Sequence, residues 1–285
     1  MTRRDADYAQ IVFSGGGLRC FWHGGWMSVV ERSLRFAPVR VTGVSGGALS
    51  AAAWIADRED WLFERFSRAL SRTDSNVTVG DMDDEQGRSP HQRVYGAIVR
   101  DVIDVGAMAR IADGPAFQVS VTTTEGAGEG SGLATAKALA AGGVYQAEQV
   151  VAPTPRPRLS AKVGVEQRLV DARAAARDGT LSDLVRMAAT VPPAFRPDHW
   201  DGEPVYDGGM MDKAPLPDPD EGRTLVLLTK RFRTLPDDDG GRIDYVQPSE
   251  AVLSGSKLDF TDPDLLREAW DQGERDGAAW LRARD

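Results

Sequence analysis

The pattern that most constrains this chain is a strand, a glycine turn and a helix, made twice within its first 55 residues. Residues 9–13 form a short apolar run that stops at Ser14-Gly15-Gly16-Gly17. The stretch 18–36 then carries apolar residues at Leu18, Phe21, Trp22, Trp26, Val29, Val30 and Leu34. Those spacings fit a helix face, which Gly24 and Gly25 weaken. Residues 39–43 repeat the strand, Ser45-Gly46-Gly47 repeats the turn, and an alanine-rich helix start follows. Two such units in series predict the beginning of a parallel sheet with helices packed on it.

The rest of the chain continues the alternation less regularly. Residues 57–72 and 91–105 read as helices, separated by a loop over 74–90. The run 117–124 is rich in β-branched residues and reads as a strand, ending in a flexible turn over 125–130. A helix is expected over 133–141, a strand over 161–170, and a helix over 182–190 with Ser182 as its N-cap. Val191-Pro192-Pro193 stops that helix, because proline cannot continue it. Residues 224–231 read as a buried strand and 235–248 as a proline-, glycine- and aspartate-rich loop. The stretch 262–283 reads as a surface helix that starts at Thr261 or Asp262 with Pro263 at its first position. No repeat or long linker divides the chain, so residues 1–285 are expected to form one domain. Its core would span about 9–231 and its C-terminal helical extension about 262–283.

Composition narrows the function classes. With 41% hydrophobic and 27% charged residues, the chain is neither disordered, fibrous nor a disulfide scaffold. Cys20 is the sole cysteine, so no internal disulfide forms, and His23, His91 and His199 beside it make a poor zinc set. The formal net charge of −9 removes any general attraction for nucleic acid and for an anionic membrane surface. Any membrane contact is therefore expected to be local and apolar. Only five basic residues are lysine, against 29 arginines. No apolar leader and no run of about 18 apolar residues is present, so a cytoplasmic protein is expected. Asp81, Asp83, Asp84 and Glu85 lack the spacing and glycine of a calcium loop, and a solvated loop is expected there.

Three motifs carry chemistry. Gly43-Val44-Ser45-Gly46-Gly47 fits G-x-S-x-G with a strand before it and a helix after it. A serine on such a sharp turn sits at the positive end of the following helix, where a nucleophile is exposed. The alternative is a tight turn in which Ser45 merely caps that helix. Gly15-Gly16-Gly17-Leu18-Arg19 exposes consecutive backbone N–H groups that suit an anion or an oxyanion. It matches neither the phosphate loop, which needs a following Lys and Ser/Thr, nor the dinucleotide pattern, which fails at Cys20. Asp207-Gly208-Gly209 is the third, and taken alone it is most often a β-turn. No histidine follows residue 199, so the nucleophile–Asp–His order of α/β-hydrolases is closed to Asp207.

GGGLR at 15–19, GVSGG at 43–47 and DGG at 207–209, in that order, resemble the motifs of the patatin-like phospholipases. MAATVPPAFRP at 187–197 is similar to the segment that family carries before its D-G-G. The resemblance runs from residue 10 to about 230 and implies a three-layer α/β/α fold with a mainly parallel central sheet. It implies a serine–aspartate dyad without histidine, with Ser45 as nucleophile and Asp207 as base. It further implies an oxyanion hole from the N–H groups of Gly15, Gly16 and Gly17, with Arg19 at the family's basic position. Gly43, Gly47, Gly208 and Gly209 would support these residues. The implied activity is serine lipid acyl hydrolysis, of phospholipase A or lysophospholipase type, through an acyl-serine, with no metal and no cofactor. The implied substrate is a glycerolipid or lysophospholipid ester, met in transient peripheral contact with a membrane. An acyltransferase using the same nucleophile and a non-catalytic binder of anionic ligands are the alternatives. Cys20 departs from the family, which usually has glycine there. Phe21, Trp22, Trp26 and Met27 are expected to form the core face of the first helix, or else to line an acyl channel.

Overall fold

Strands β1 (Arg4–Asp5), β2 (Gln10–Phe13), β3 (Leu34–Arg35) and β4 (Arg40–Val44) come from the first 44 residues. β2 and β4 pair in parallel, with Gln10 opposite Arg40 and Phe13 opposite Gly43. Ile11 and Phe13 enter the main apolar cluster, while Val12 points to a second cluster with Val226, Leu228 and Ile243. Both faces of the sheet are therefore covered, and the strand reads as an unbroken apolar run. This computed structural model describes residues 3–72, 90–124, 136–137, 139–140, 143–144, 147, 154–156, 165–192, 195–257 and 259–284. The acidic run at 81–85 lies outside them, and so does most of the helix expected over 133–141.

The remaining strands are β5 (Ala116–Thr123), β6 (Glu166–Asp171), β7 (Asp198–Trp200), β8 (Glu203–Asp207), β9 (Thr224–Leu227) and β10 (Ile243–Val246). They complete an eight-stranded sheet in the order β10-β9-β2-β4-β5-β8-β7, with β6 also on β5. The strands from β10 to β5 run parallel. β6 and β8 run antiparallel to β5, and β7 antiparallel to β8. Helices flank this mainly parallel sheet, the expected α/β/α arrangement.

Those helices are α1 (Phe21–Val30), α2 (Gly46–Ile55), α3 (Glu59–Leu70), α4 (Pro90–Val102), α5 (Val105–Asp113), α6 (Ala172–Arg177), α7 (Leu181–Met187) and α8 (Asp264–Arg282). The helix expected over 91–105 is α4, which ends at Val102, and a further helix follows it: Asp104 accepts the Ala107 N–H at 2.7 Å and starts α5. Ser182 does not cap α7: the helix begins at Leu181 after Thr180, and Ser182 is buried in its first turn. α8 begins slightly later than expected: Pro263 is its N-cap and not its first helical residue, and Asp262 accepts the Asp264 N–H at 2.9 Å. The region 235–248 is not all loop. Its last residues form β10, whose Ile243 pairs with Thr224 and is buried with Val246. Four residues at a sheet edge are too few to outweigh the Asp, Gly and Pro that precede them in the sequence. No helix among the described residues is long and apolar enough to cross a membrane.

Glycines that weaken α1 as an isolated helix form its contact with α8. A Cβ on Gly25 would lie 2.0 Å from the Trp270 carbonyl oxygen, and one on Gly273 would lie 2.3 Å from that of Trp22. Trp22 donates its indole N–H to Asp276 at 2.8 Å across the same seam. Trp22 and Trp26 are fully buried, so they belong to the core face and not to a channel. Gly273→Ala is expected to cost about 1–3 kcal/mol by overpacking a backbone contact. Val105→Ala, at a side chain 85% exposed, should stay within about 0.5 kcal/mol. Urea unfolding midpoints of the two variants check the contrast.

Candidate active site

One edge of β5 serves two strands. β4 pairs with its first part, ending at Val44 opposite Ser120. β8 pairs with its last part, with Asp207 opposite Val121. β6 spans both parts on the other edge, so β4 and β8 meet head to head by their C-terminal ends. Ser45 and Asp207 are the residues at that meeting point. Ser45 Oγ donates to Asp207 Oδ2 at 2.6 Å, and both side chains are buried. The backbone of Asp207 is fixed as well: its N–H donates to Thr190 O at 2.8 Å, and its carbonyl accepts the Thr122 hydroxyl at 3.0 Å.

Ser45 sits at φ 53°, ψ −129°, a left-handed conformation that a serine adopts only when its surroundings impose it. Its side chain makes no capping bond to α2, so the reading of Ser45 as a mere helix cap fails. The neighbouring glycines are there for space. A Cβ on Gly47 would lie 2.4 Å from the carbonyl oxygens of Phe13 and Ser14, and one on Gly43 would lie 2.5 Å from Ala48. Gly208 packs as tightly on Ser120, at 2.4 Å. Gly209 donates its N–H to Asp207 Oδ1 at 2.7 Å, which leaves Oδ2 facing the serine.

The glycine loop lies beside this pair. Gly17 turns at φ +60°, and Gly46 at the start of α2 packs against its backbone. Gly15 departs from expectation: its N–H donates to Lys213 O at 3.0 Å and is withdrawn from the set of oxyanion donors. The N–H groups of Gly16 and Gly17 have no acceptor among the described residues. Arg19 donates from Nε to Gly16 O at 3.3 Å and so braces the loop. Thr229 donates its hydroxyl to Gly15 O at 2.9 Å, and Lys257 O accepts the Leu18 N–H at 3.1 Å.

Lys213, Lys230 and Lys257 are site residues that no motif pointed to. Three of only five lysines gather here, and that rarity in an arginine-rich chain was the available signal. Burial, with the neighbouring Lys257 charge, pushes the Lys213 ammonium down to about 7. Burial pushes the Asp207 carboxyl up from its ordinary value, opposed by the Ser45 hydrogen bond and the Lys213 charge. The histidines lie elsewhere. His23 is buried, with Nε2 3.2 Å from Leu227 O, and is pushed down to about 3, so it stays neutral. His91 packs edge-on to Phe260, and His199 is exposed on β7.

A cavity of about 460 Å³ opens on Ser45 and Asp207. Its walls are mainly apolar, including Phe21, Leu49, Leu62, Phe66 and Phe260. Ala189, Val191, Pro192 and Phe195 from the segment 187–197 form another wall. Of the four α1 residues weighed for an acyl channel, Phe21 lines this cavity, while Trp22, Trp26 and Met27 are core. A hydroxyl held by a buried carboxylate, beside two backbone N–H donors and an apolar cavity, is equipped for nucleophilic attack on an acyl ester.

A family model described as patatin-like phospholipase matches residues 11–220. No curated protein sequence matches the chain. Among solved structures, VipD from Legionella pneumophila is similar with a TM-score of 0.49 and 12% identity, over 98% of this chain and 67% of that one.

Cys20 is the second nucleophile near the loop, and its environment silences it. Its thiol donates to Ser14 O at 3.6 Å and is pushed up to about 12 by burial. The thiolate, which is the reactive form, is then scarce at neutral pH. Ellman's reagent at pH 8 is expected to find no reactive thiol in the folded protein and one after denaturation.

Proposed function

We propose, from the premise that the chain belongs to the patatin-like phospholipase family, that it is a serine lipid acyl hydrolase working through a Ser45–Asp207 dyad. The observation that carries this reading is the 2.6 Å hydrogen bond between Ser45 Oγ and Asp207 Oδ2, on a strained turn that opens into an apolar cavity. The substrate class is a glycerolipid or lysophospholipid ester. The cavity, at about 460 Å³, falls in the usual range for small-molecule sites, about 300–1,000 Å³. Val191 and Leu139 line it and are also exposed, and they supply an apolar lip at its mouth. The reading takes residues 1–285 as one domain, supported by the packing of α8 on α1.

Asp207 takes the Ser45 proton as Oγ forms a bond to the ester carbonyl carbon. The carbonyl π electrons move to oxygen, and the N–H groups of Gly16 and Gly17 stabilise that oxyanion. Removing one such donor in other acyl-transfer enzymes costs about 3–4 kcal/mol of transition-state stabilisation. The carbonyl re-forms, the ester C–O bond breaks, and the proton on Asp207 passes to the leaving alcohol. Water then attacks the acyl-Ser45, giving its proton to Asp207. The second tetrahedral intermediate expels Ser45 Oγ, which recovers the proton, and the fatty acid leaves. Asp207 must be ionised at the start, and burial works against that. Lys213 and Lys257 offset burial by favouring the carboxylate.

Ser45→Ala and Asp207→Asn are each expected to lower kcat/KM on p-nitrophenyl acyl esters by on the order of 10³-fold or more. Circular dichroism should remain unchanged in both. A fluorophosphonate probe should label the native protein at Ser45, and full activity of either variant would sink the dyad. Because the ionised carboxylate is the active form, kcat/KM should rise with pH through an acid limb above the ordinary aspartate value of 3.8. Lys213→Gln removes a charge that lowers the Asp207 pKa, so it should move that limb to higher pH. A limb that stays put or moves down would refute the coupling.

A further inference from the structure

We propose that Tyr95 is a specificity residue of the acyl cavity, and that its hydroxyl pairs with a hydroxyl group carried by the substrate's acyl chain close to the ester. Tyr95 stands on α4, in the buried stripe that also holds His91, Ile98, Val99 and Val102. Its ring belongs to the aromatic wall of the cavity, with Phe66 at 6.3 Å and Phe195 at 6.2 Å between ring centroids. Phe66 in turn meets Phe21 at 5.1 Å and Phe260 at 6.4 Å. Tyr95 is 5% exposed, and its hydroxyl has no hydrogen-bond partner among the described residues. The other two hydroxyls among the described lining residues are engaged: Ser45 donates to Asp207, and Ser50 donates to the carbonyls of Cys20 and Gly46.

Buried polar groups are ordinarily paired, so a buried hydroxyl left open toward a cavity marks where a partner arrives. Packing alone does not call for tyrosine here. The other rings of this wall are phenylalanines, and phenylalanine fills the same volume apart from the one oxygen. The hydroxyl also lies toward the reactive end of the cavity. Burial pushes the phenol's pKa up, and Cys20 and Asp207, which line the same cavity, are near enough to push it the same way. The group therefore stays neutral at physiological pH and can both donate and accept. A saturated chain that fills the cavity keeps water from the phenol and leaves it unpaired, which weakens binding. A chain with a hydroxyl near its ester pairs with the phenol, and its own oxygen is not stranded among apolar walls. The ester at Ser45 fixes which end of the chain this is. The inference rests on the acyl-hydrolase reading for its substrate and adds to it what the acyl chain carries.

The test compares the glycerol monoesters of decanoic, 3-hydroxydecanoic and 10-hydroxydecanoic acid. The native protein should favour the 3-hydroxy ester over the plain one about tenfold in kcat/KM, and Tyr95→Phe should abolish that preference through KM for the hydroxylated ester. The 10-hydroxy ester, with its oxygen at the far end, should gain nothing. The melting temperature of Tyr95→Phe should not fall, because a hydroxyl with no partner in the fold is removed without breaking a bond. A clear fall would mean that the phenol is bonded within the protein, and would overturn the proposal. The absence of a preference, a preference that survives Tyr95→Phe, or one confined to the 10-hydroxy ester would overturn it equally. Calorimetry on the Ser45→Ala protein should show 3-hydroxydecanoic acid binding about tenfold more tightly than decanoic acid, a difference that adding Tyr95→Phe removes. If none of the esters is hydrolysed, the acyl-hydrolase reading fails, and the calorimetry still decides the role of Tyr95: equal affinities refute it.

Discussion

The site depends on one edge of one strand. β5 offers its edge first to β4 and then to β8, and the two arrive from opposite directions. Ladder pairing fixes where each strand must stop, because Ser120 and Val121 are consecutive residues. Ser45 and Asp207, 162 residues apart in the chain, are thereby set at hydrogen-bond distance by backbone pairing. This explains why a mainly parallel sheet carries antiparallel strands at one side. A parallel β8 would bring its N-terminal end to Val44, and Asp207 would point away.

The glycine loop depends on that geometry in turn. Gly47 must pass within van der Waals range of the Phe13 and Ser14 carbonyls, so α2 can start only if β2 ends beside it. The loop is then braced from three distant segments, by Lys213 at Gly15, by Thr229 at Gly15 and by Lys257 at Leu18. The two lysines make their contacts through backbone carbonyls, which frees the sequence to choose their side chains. Lysine at these positions is a matter of electrostatics. The departure at Cys20 fits the same scheme, since its sulfur fills space against Gly46 and its raised pKa keeps it neutral.

Much of this was legible in the sequence, for reasons that differ by residue. The first two strands and their turns were readable because buried parallel strands are continuous apolar runs punctuated by glycine. Ser45 and the loop glycines stood out because steric demands at a tight turn leave few residue choices, whereas Asp207 stood out only through the resemblance of its D-G-G to the family's motif. The withdrawal of the Gly15 N–H was not readable, because its acceptor, the Lys213 carbonyl, is a backbone atom of a residue about 200 positions away. β10 was hidden by its own brevity. By propensity alone, Gly24 and Gly25 are weak points of a helix. Their value is tertiary: they let α8 approach to backbone distance, a gain that propensity does not register.

A lone aspartate is a poor base at neutral pH, and the fold has two opposed ways of adjusting it. Burial makes Asp207 more basic but lowers the fraction that is ionised, while a nearby cation does the reverse. Neither extreme suits a general base, whose best pKa lies near the working pH. Lys213 sits between these demands. Its own charge is weakened by burial and by Lys257, so it favours the carboxylate less than a fully charged neighbour would. Asp207, the glycine loop and the lysines therefore form one electrostatic unit.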